Sequence, residues 1–443
     1  MFGWHGSFQL HRVHELVIDA PKRCRDPFAV RLYGRRSQDA SDEPGSSAIH
    51  RQSLFRLDTR DFARLRYAPS RLVGKFSVWR VVLSTSSCRF RSYLALQNNV
   101  FFAAILSTLF ILTSAVPASA SKKIIFDTDP GTDDAMALML ALNSPELDVR
   151  AITVVPGNVT AKQGLENALR MVSLANRCDI PIAAGAQHPL FQKLITAEFW
   201  HGKNGLANIE LPPSKCKVDP RFGPDLIIEM VHAAPHEITL VPVGPLTNIA
   251  LAVEKDPTIV PLVKEVIIMG GSITGGNVNA SAEANIYNDP EAAQIVFQAG
   301  WPLTMVGLDV GDKTLLSPKY LEQLGQTHGP MNDFIYQVAH YLIDLSAQYG
   351  SIGTPMYDPL AVGVAIDSTF VKAPLMHVDV ETRGEFTRGE TVANRHGFVE
   401  RNVLHGDRYQ IEGVDKVEPN AKVCVEVDAD RFLQLFASRL RGK

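Results

Sequence analysis

Asp127, Asp129, Asp133 and Asp134 place four carboxylates within eight residues, in the run Asp127-Thr128-Asp129-Pro130-Gly131-Thr132-Asp133-Asp134. Like charges at that density repel one another. The simplest relief is a hard divalent cation held by oxygen ligands, with the remaining carboxylates free to bind hydroxyl groups. Helix capping is the plain alternative, because Asp133 and Asp134 would suit a first helical turn. Capping explains one or two aspartates. A run D-x-D-P-G-x-D-D directly after an apolar strand points instead to a metal or substrate site.

The elements around that run say how it would be positioned. The apolar run Ile124-Ile125-Phe126 reads as a buried strand, Pro130-Gly131 as a tight turn, and Ala135, Leu138, Met139 and Leu142 as the face of a helix. Strand and helix then alternate. Val149–Val155 is β-branched, residues 162–175 show helical spacing, and Pro181–Ala184 is a short strand. Ile238–Val243 leads into a helix from Thr247, and Val266–Met269 runs into Gly270-Gly271. The helix Pro290–Ala299 precedes the strand Leu303–Val306. Further strands are predicted near 376–381 and 423–427, with a terminal helix from Ala429. Alternation of this kind predicts an α/β fold, an open, mainly parallel sheet flanked by helices, in which ligands bind beyond the carboxyl ends of the strands. Residues 185–224 are too long for a simple connection and form a candidate lid carrying His201. The Gly-rich loop 270–289 spaces out Asn277, Glu283, Asn285 and Asp289.

The 443 residues are 46% apolar and 21% charged, ordinary for a soluble globular chain with a large core. The net charge of −3 hides a basic first hundred residues and an acidic remainder, so the main body offers no basic nucleic-acid surface. Three segments are expected. Residues 1–88 read as a non-native or disordered extension, 89–120 as a signal peptide, and 121–443 as one domain. The signal reading rests on the basic flank Arg89-Phe90-Arg91, the apolar run Val100–Val116 and the ending Ala118-Ser119-Ala120. A cleaved chain would be exported, periplasmic or extracellular, with no stable membrane association; an uncleaved one would stay anchored. There is no Met between Met1 and Met136, which fits an over-extended gene start or a long presequence. Cys178, Cys216 and Cys424 follow the signal, and their spacing fits no metal motif. One disulfide could form, with the pair left open.

Dispersed motifs now add up. Beside the acidic run stand Val155-Pro156-Gly157-Asn158, Val243-Gly244-Pro245-Leu246-Thr247-Asn248, Met269-Gly270-Gly271 with Asn277, Glu283 and Asn285, and Tyr357-Asp358-Pro359-Leu360-Ala361. In order and placement this set resembles the nucleoside hydrolases, calcium-dependent inosine/uridine-preferring N-ribohydrolases, across essentially all of 122–443. The resemblance implies a Rossmann-like nucleoside hydrolase fold, a ribonucleoside substrate, Ca²⁺, and a homodimer or homotetramer. It implies that Asp129, Asp134, Asp358 and the Val243 carbonyl hold the ion, and that Asp129 takes a proton from the ion-bound water. It further implies that Asp133 receives the 2′-hydroxyl, that Asn158 and Asn285 hold the ribose, that Asn277 and Glu283 bind the 5′-hydroxyl, and that Met269 borders the substrate. Asp127 would support the loop from behind. Cleavage would pass through an oxocarbenium-like transition state, which a carboxylate-rich pocket stabilises.

One position departs from the resemblance. Many members carry a His before the last calcium-binding Asp, where it protonates the leaving base; here Tyr357 stands there. His201, Tyr357 and Tyr349 are the candidates for that work; packing against the base is the alternative role of Tyr357, and base preference is expected to be set in the lid and near Tyr349. Two other readings compete. A Mg²⁺-dependent haloacid-dehalogenase-like phosphohydrolase also opens with D-x-D, but wants Thr or Val where Gly131 stands. A non-catalytic exported nucleoside-binding protein is favoured only by Tyr357.

Overall fold

The computed structural model describes residues 121–440 and, before them, the short strands Leu16–Ile18, Ala29–Arg31, Leu54–Arg56 and Val81–Leu83. Met1–Val116 and Pro117–Lys443 form separate units. In the first, Leu16–Ile18 pairs parallel with Val81–Leu83, and Ala29–Arg31 pairs antiparallel with Leu54–Arg56. The rest of the expected extension 1–88, and the signal peptide 89–120, lie outside the described residues.

The second unit is built on one ten-stranded sheet. Its strands, numbered in chain order, are β1 Lys122–Thr128, β2 Leu147–Val154, β3 Ile182–Ala184, β4 Val218–Asp219 and β5 Ile238–Pro242. Then come β6 Glu265–Met269, β7 Leu303–Val306, β8 Leu375–Val380, β9 Thr391–Asn394 and β10 Ala421–Val423. Across the sheet they run β9-β8-β10-β7-β6-β5-β1-β2-β3-β4. From β4 to β10 neighbouring pairs are parallel, while β8 joins β10 and β9 in antiparallel fashion. The chain steps outward from β1 through β4, then returns to β5 on the other side of β1. Strand order therefore reverses between β1 and β5, where doubly wound sheets open a crevice for ligands.

Alternation within the strands explains the two-sided core. Ile124, Phe126, Ile152, Val154, Val241 and Ile267 pack on one face, while Ile125, Ala151, Leu240, Val266 and Ile268 pack on the other. A strand buried on both faces must be apolar throughout, which is why these strands read as unbroken β-branched runs. Helix α1, Thr132–Leu142, lies against the first of these faces with Met136, Leu138, Met139 and Leu140 wholly buried. Helix α2, Ala161–Leu174, is capped by Thr160, whose hydroxyl accepts the Gln163 N–H. The helices predicted from Thr247, from Pro290 and from Ala429 are α5 Thr247–Lys255, α7 Pro290–Gln298 and α12 Ala429–Leu440. The others are α3 Glu198–His201, α4 Gly223–Ala233, α6 Ala284–Asn288, α8 Leu308–Gly311, α9 Pro318–Leu324, α10 Pro330–Gln348 and α11 Tyr357–Ile366.

The region read as a lid is largely fastened down. Its latter half runs along α2 and is tied there by hydrogen bonds. Arg170 Nη1 donates to the Leu211 carbonyl at 2.9 Å, Ser214 Oγ to that of Leu169 at 2.7 Å, and the Lys215 N–H to Ser173 Oγ at 3.0 Å. A disulfide, Cys178–Cys216, closes the end of this strap with a Cα–Cα distance of 4.9 Å, and Cys424 remains a buried thiol. Cross-linking residues 38 apart removes denatured-state entropy equivalent to about 4 kcal/mol. Replacing both Cys178 and Cys216 by serine is therefore expected to lower the melting temperature by several degrees; an unchanged melt would show that the α2 hydrogen bonds suffice.

Candidate active site

Turns at the carboxyl ends of β1, β2, β5 and β6 converge at the reversal point. Asp129 follows β1 and is 1% exposed. Its Oδ2 accepts the Asn158 N–H at 2.7 Å from the turn after β2, while its Oδ1 is buried without a partner. Space for this carboxylate is made by two glycines. A Cβ on Gly157 would stand 2.0 Å from Oδ2, and one on Gly244 would stand 2.5 Å from Oδ1.

Asp134 combines the capping role with the clustering role. Its Oδ2 accepts the Gly131 N–H and Asn158 Nδ2, both at 2.9 Å, and its Oδ1 accepts Thr128 Oγ1 at 2.5 Å. The bond from the Gly131 N–H is a one-way cap at the start of α1, so Asp134 does serve the helix end. It does not explain the rest of the cluster. Ligand oxygens of Asp133, Asp134 and Asp358 lie within 4.8 Å of one another, an arrangement able to hold a metal ion. Asp133 Oδ1, like Asp129 Oδ1, is buried without a hydrogen bond. Asp358 reaches the cluster from the first turn of α11, from a different part of the chain.

Burial dominates the electrostatics. It pushes Asp133 up to about 6 and, with the charges of Asp133, Asp134, Asp129 and Glu283 added, raises Asp358 well above the usual carboxylate range. Asp129 is raised well above it too, by burial first and then by Asp134, and Asp134 is raised by burial and Asp133. Buried carboxylates that penalise each other's charge are stabilised by a cation among them. The three carboxylates that meet fit a hard one; they include Asp133 in place of the expected Asp129, while the Val243 carbonyl accepts from Asn285 Nδ2.

Asp127 stands behind this group. Its Oδ1 accepts Thr153 Oγ1 at 2.5 Å and Asn248 Nδ2 at 2.7 Å, and burial pushes its carboxyl up to about 7. Asn248 also accepts the Ala186 N–H at 2.8 Å through Oδ1, so it ties β1 to the start of the strap. Asn248 stands within one of the quoted motifs, whose spacing alone does not report this bridging role.

The loop after β6 is more ordered than its glycines suggest. Glu283 caps α6, taking the N–H groups of Asn285 at 2.8 Å, Ile286 at 3.1 Å and Gly271 at 3.0 Å, and burial pushes it up to about 6. Asn285 is thereby held with Nδ2 donating to the Val243 carbonyl at 2.8 Å, and it lies 3.2 Å from Met269 Sδ. Asp289, predicted only as a polar loop residue, caps α7 and accepts Thr247 Oγ1 at 2.7 Å. Asn277 is exposed.

His201 ends α3. Its Nδ1 accepts the Thr132 N–H at 3.2 Å, lies 2.7 Å from Thr132 Oγ1 and is 3.6 Å from Asp133 Oδ1. A backbone N–H can only donate, so Nδ1 presents its lone pair and the neutral ring carries its proton on Nε2. Burial lowers the imidazole to about 4. Tyr357 donates its hydroxyl to Asp312 Oδ1 at 2.8 Å, and burial together with Asp312 raises the phenol above its usual value. Its ring packs over Gly311, where a Cβ would stand 2.3 Å from Cδ1. Tyr349 is 61% exposed and meets Trp200 and Phe199 with ring centroids 5.3 and 6.3 Å away. Thr132 and Asp312, which set the states of His201 and Tyr357, were not singled out from the sequence; no spacing rule reports a partner brought in by the fold.

The family model for inosine-uridine preferring nucleoside hydrolase matches residues 124–434. The chain belongs to that family. It is 38% identical over 326 residues to the pyrimidine-specific ribonucleoside hydrolase RihA of Salmonella arizonae, covering 72% of this chain and 98% of that protein. The Escherichia coli K12 protein of the same name is 37% identical over 326 residues. Among solved structures, a plant nucleoside hydrolase, PpNRh1, is similar with a TM-score of 0.66 and 38% identity, covering 73% of this chain and 99% of that one. A purine-preferring ribonucleoside hydrolase from Gardnerella vaginalis gives a TM-score of 0.65 and 35% identity, covering 72% and 98%. As a nucleoside hydrolase, the protein is an N-glycosyl hydrolase acting on ribonucleosides, and the predicted α/β class stands. The relatives' names divide between pyrimidine and purine at nearly equal identity, so overall similarity does not choose the base.

Proposed function

We propose that the protein hydrolyses the N-glycosidic bond of ribonucleosides with Asp129 as general base, His201 as hydrogen-bond donor to the departing base, and Ca²⁺ as resident ion. The observation that carries this reading is the meeting of Asp133, Asp134 and Asp358, with Asp133 Oδ1 orphaned, and beside it Asp129, whose own Oδ1 is orphaned and whose carboxyl feels the charge of Asp134. Asp129, Asp134, Asp358 and the Val243 carbonyl are the assigned ion ligands. Calcium suits an all-oxygen, high-coordination set, and when bound it would acidify water and anchor sugar hydroxyls.

The side chains supply the rest. Asp129 takes a proton from the attacking water, whose oxygen bonds to the anomeric carbon. The base departs with the electron pair of the broken C–N bond, steadied by the His201 Nε2–H, and takes up one proton from solvent while Asp129 returns to solvent the one it took from water. Asp133 accepts the 2′-hydroxyl, Asn158 and Asn285 orient the ribose, and Glu283 and Asn277 serve the 5′-hydroxyl beside Met269. Holding the whole sugar converts binding into orientation. The carboxylates offset the positive charge that develops on the ring.

His201 is favoured over Tyr357 for the leaving base because Tyr357 already spends its proton on Asp312. Tyr357→Phe is therefore expected to keep kcat within about tenfold of the parent, whereas His201→Ala should lower it by about 10²-fold or more on uridine or inosine. The reverse ranking would return the role to Tyr357. Tyr349, Trp200 and Phe199 form an aromatic edge suited to stacking on a base.

Export and self-association belong to the same proposal. The Cys178–Cys216 disulfide supports an oxidising compartment reached through the signal at 89–120, with residues 1–88 having no part in catalysis. Among the described residues no helix is long and apolar enough to cross a membrane. Light scattering of the mature chain tests the expected homodimer or homotetramer.

A further inference from the structure

Asn167 lies in the middle of α2, outside every motif quoted above, and is 2% exposed. Its single amide nitrogen serves two different loops. Nδ2 donates to the Pro130 carbonyl at 3.1 Å, inside the acidic run, and to the Asn204 carbonyl at 2.8 Å, three residues after His201. Its Oδ1 accepts Gln163 Nε2 at 3.0 Å, which fixes which way the amide faces. Every polar atom of the side chain is thus engaged. The strap lies directly on this junction because Gly205 has no side chain. With φ at +80°, a Cβ there would stand 3.0 Å from both Asn167 Nδ2 and the Pro130 carbonyl and 2.7 Å from Val159.

Asn204 itself is prepared for the contact. Its own side chain takes the Leu206 and Asn208 N–H groups at 2.9 and 3.0 Å and donates to the Ile209 carbonyl at 2.9 Å, so its backbone oxygen is held in a tight local turn. Pro130, for its part, stands between Asp129 and Asp133. One buried amide therefore joins the loop that carries the general base to the loop that carries His201.

We propose that Asn167 is a positioning residue for the hydrolytic reaction: by bridging Pro130 and Asn204 it sets the separation between the acidic loop and His201, and so the placement of His201 against the departing base. This rests on the assignment of His201 made above. Two N–H donors on a rigid helix hold both loops to one reference. Without them each loop keeps its own internal hydrogen bonds, and the contact of His201 Nδ1 with Thr132 is left to hold the register between the two alone. A displacement of about 1 Å is enough to cost a catalytic group about 10²-fold.

The test compares two substrates that differ in their need for help at the leaving group. Uridine or inosine needs it; p-nitrophenyl β-D-ribofuranoside, whose phenolate leaves unaided, does not. The readout is the ratio of kcat/KM on nucleoside to kcat/KM on the nitrophenyl riboside. Asn167→Asp keeps the size and the bond to Gln163 but removes both donors, and should lower this ratio roughly ten- to a hundredfold. Gly205→Ala, which pushes the strap off the same junction from the other side, should lower it likewise, and covers the case in which the first variant folds poorly. Combining Asn167→Asp with His201→Ala should give no further fall in the ratio beyond His201→Ala alone, because the two act on one contact. If His201→Ala lowers the ratio but both junction variants reduce the two substrates equally, or neither, Asn167 is only structural and the inference is overturned. If His201→Ala itself leaves the ratio unchanged, the leaving-group assignment has failed, whatever Asn167 does.

Discussion

Asp129→Ala is expected to lower kcat by at least about 10³-fold while the chain still folds. The carboxylate has two separable tasks. Oδ2 holds the Asn158 N–H at 2.7 Å and so fixes the turn after β2, whereas Oδ1 has no protein partner and is the oxygen left for chemistry. Asp129→Asn keeps an acceptor for Asn158 but not the charge, and should be nearly as inactive. Stability should move the other way. Burial and Asp134 already oppose the charge on this group, holding its pKa well above normal. A carboxyl raised on folding stabilises the fold at pH below its unfolded value, and that contribution is lost as pH climbs through the folded one. At neutral pH without a cation the ionised group therefore works against folding. Asp129→Asn in chelator should melt no lower than the parent, and added Ca²⁺ should no longer raise its melting temperature. A variant that turned over at parental rates would remove Asp129 from the reaction.

Gly157→Ala should be almost as damaging to turnover, with a loss of about 10²- to 10³-fold, although it touches no substrate. A methyl group there would stand 2.0 Å from Asp129 Oδ2 and 2.8 Å from Pro245 Cδ, so the carboxylate must turn or the loop must retreat. The glycine is required for space, because its backbone does not lie among the positive-φ positions. Either movement takes Oδ1 away from the cluster. Structural stability should fall less than activity, since the carboxylate is the softer of the two neighbours. Parental kcat/KM in Gly157→Ala would show that the crowding is absorbed elsewhere and that the position of Asp129 is not critical.

Much of the frame was legible because buried parallel strands leave an unmistakable pattern. The runs at Ile124, Ile152, Leu240 and Ile267 are apolar on both parities, as they must be when helices cover both faces. The carboxylate cluster was legible for a related reason: four acids in eight residues have few other uses. The antiparallel edge was less so. Strands β8 and β10 were expected, but not that β8 pairs with β10 and β9 in the opposite sense. The exposed hairpin of Phe398–His405 with Arg408–Lys416 went unread, because neither face is buried and its sequence carries no clean alternation. Partners supplied at long range were hidden altogether. Tyr357 finds Asp312 45 positions away, and His201 finds Thr132 69 positions away, and these bonds decide what each side chain can do. The strap is the clearest case. Length alone suggested a mobile lid, while the side chains of α2 and one disulfide hold much of it in place.

The most direct measurement is calorimetric titration of metal-stripped protein with Ca²⁺, run alongside ribose release from uridine and inosine, for the parent and for Asp358→Ala. One tight site per chain is expected in the parent, with loss of ribose release in chelator and recovery as that site fills, and no such site in the variant. Undiminished hydrolysis by protein shown to be free of metal, or tight binding that survives Asp358→Ala, would contradict this expectation.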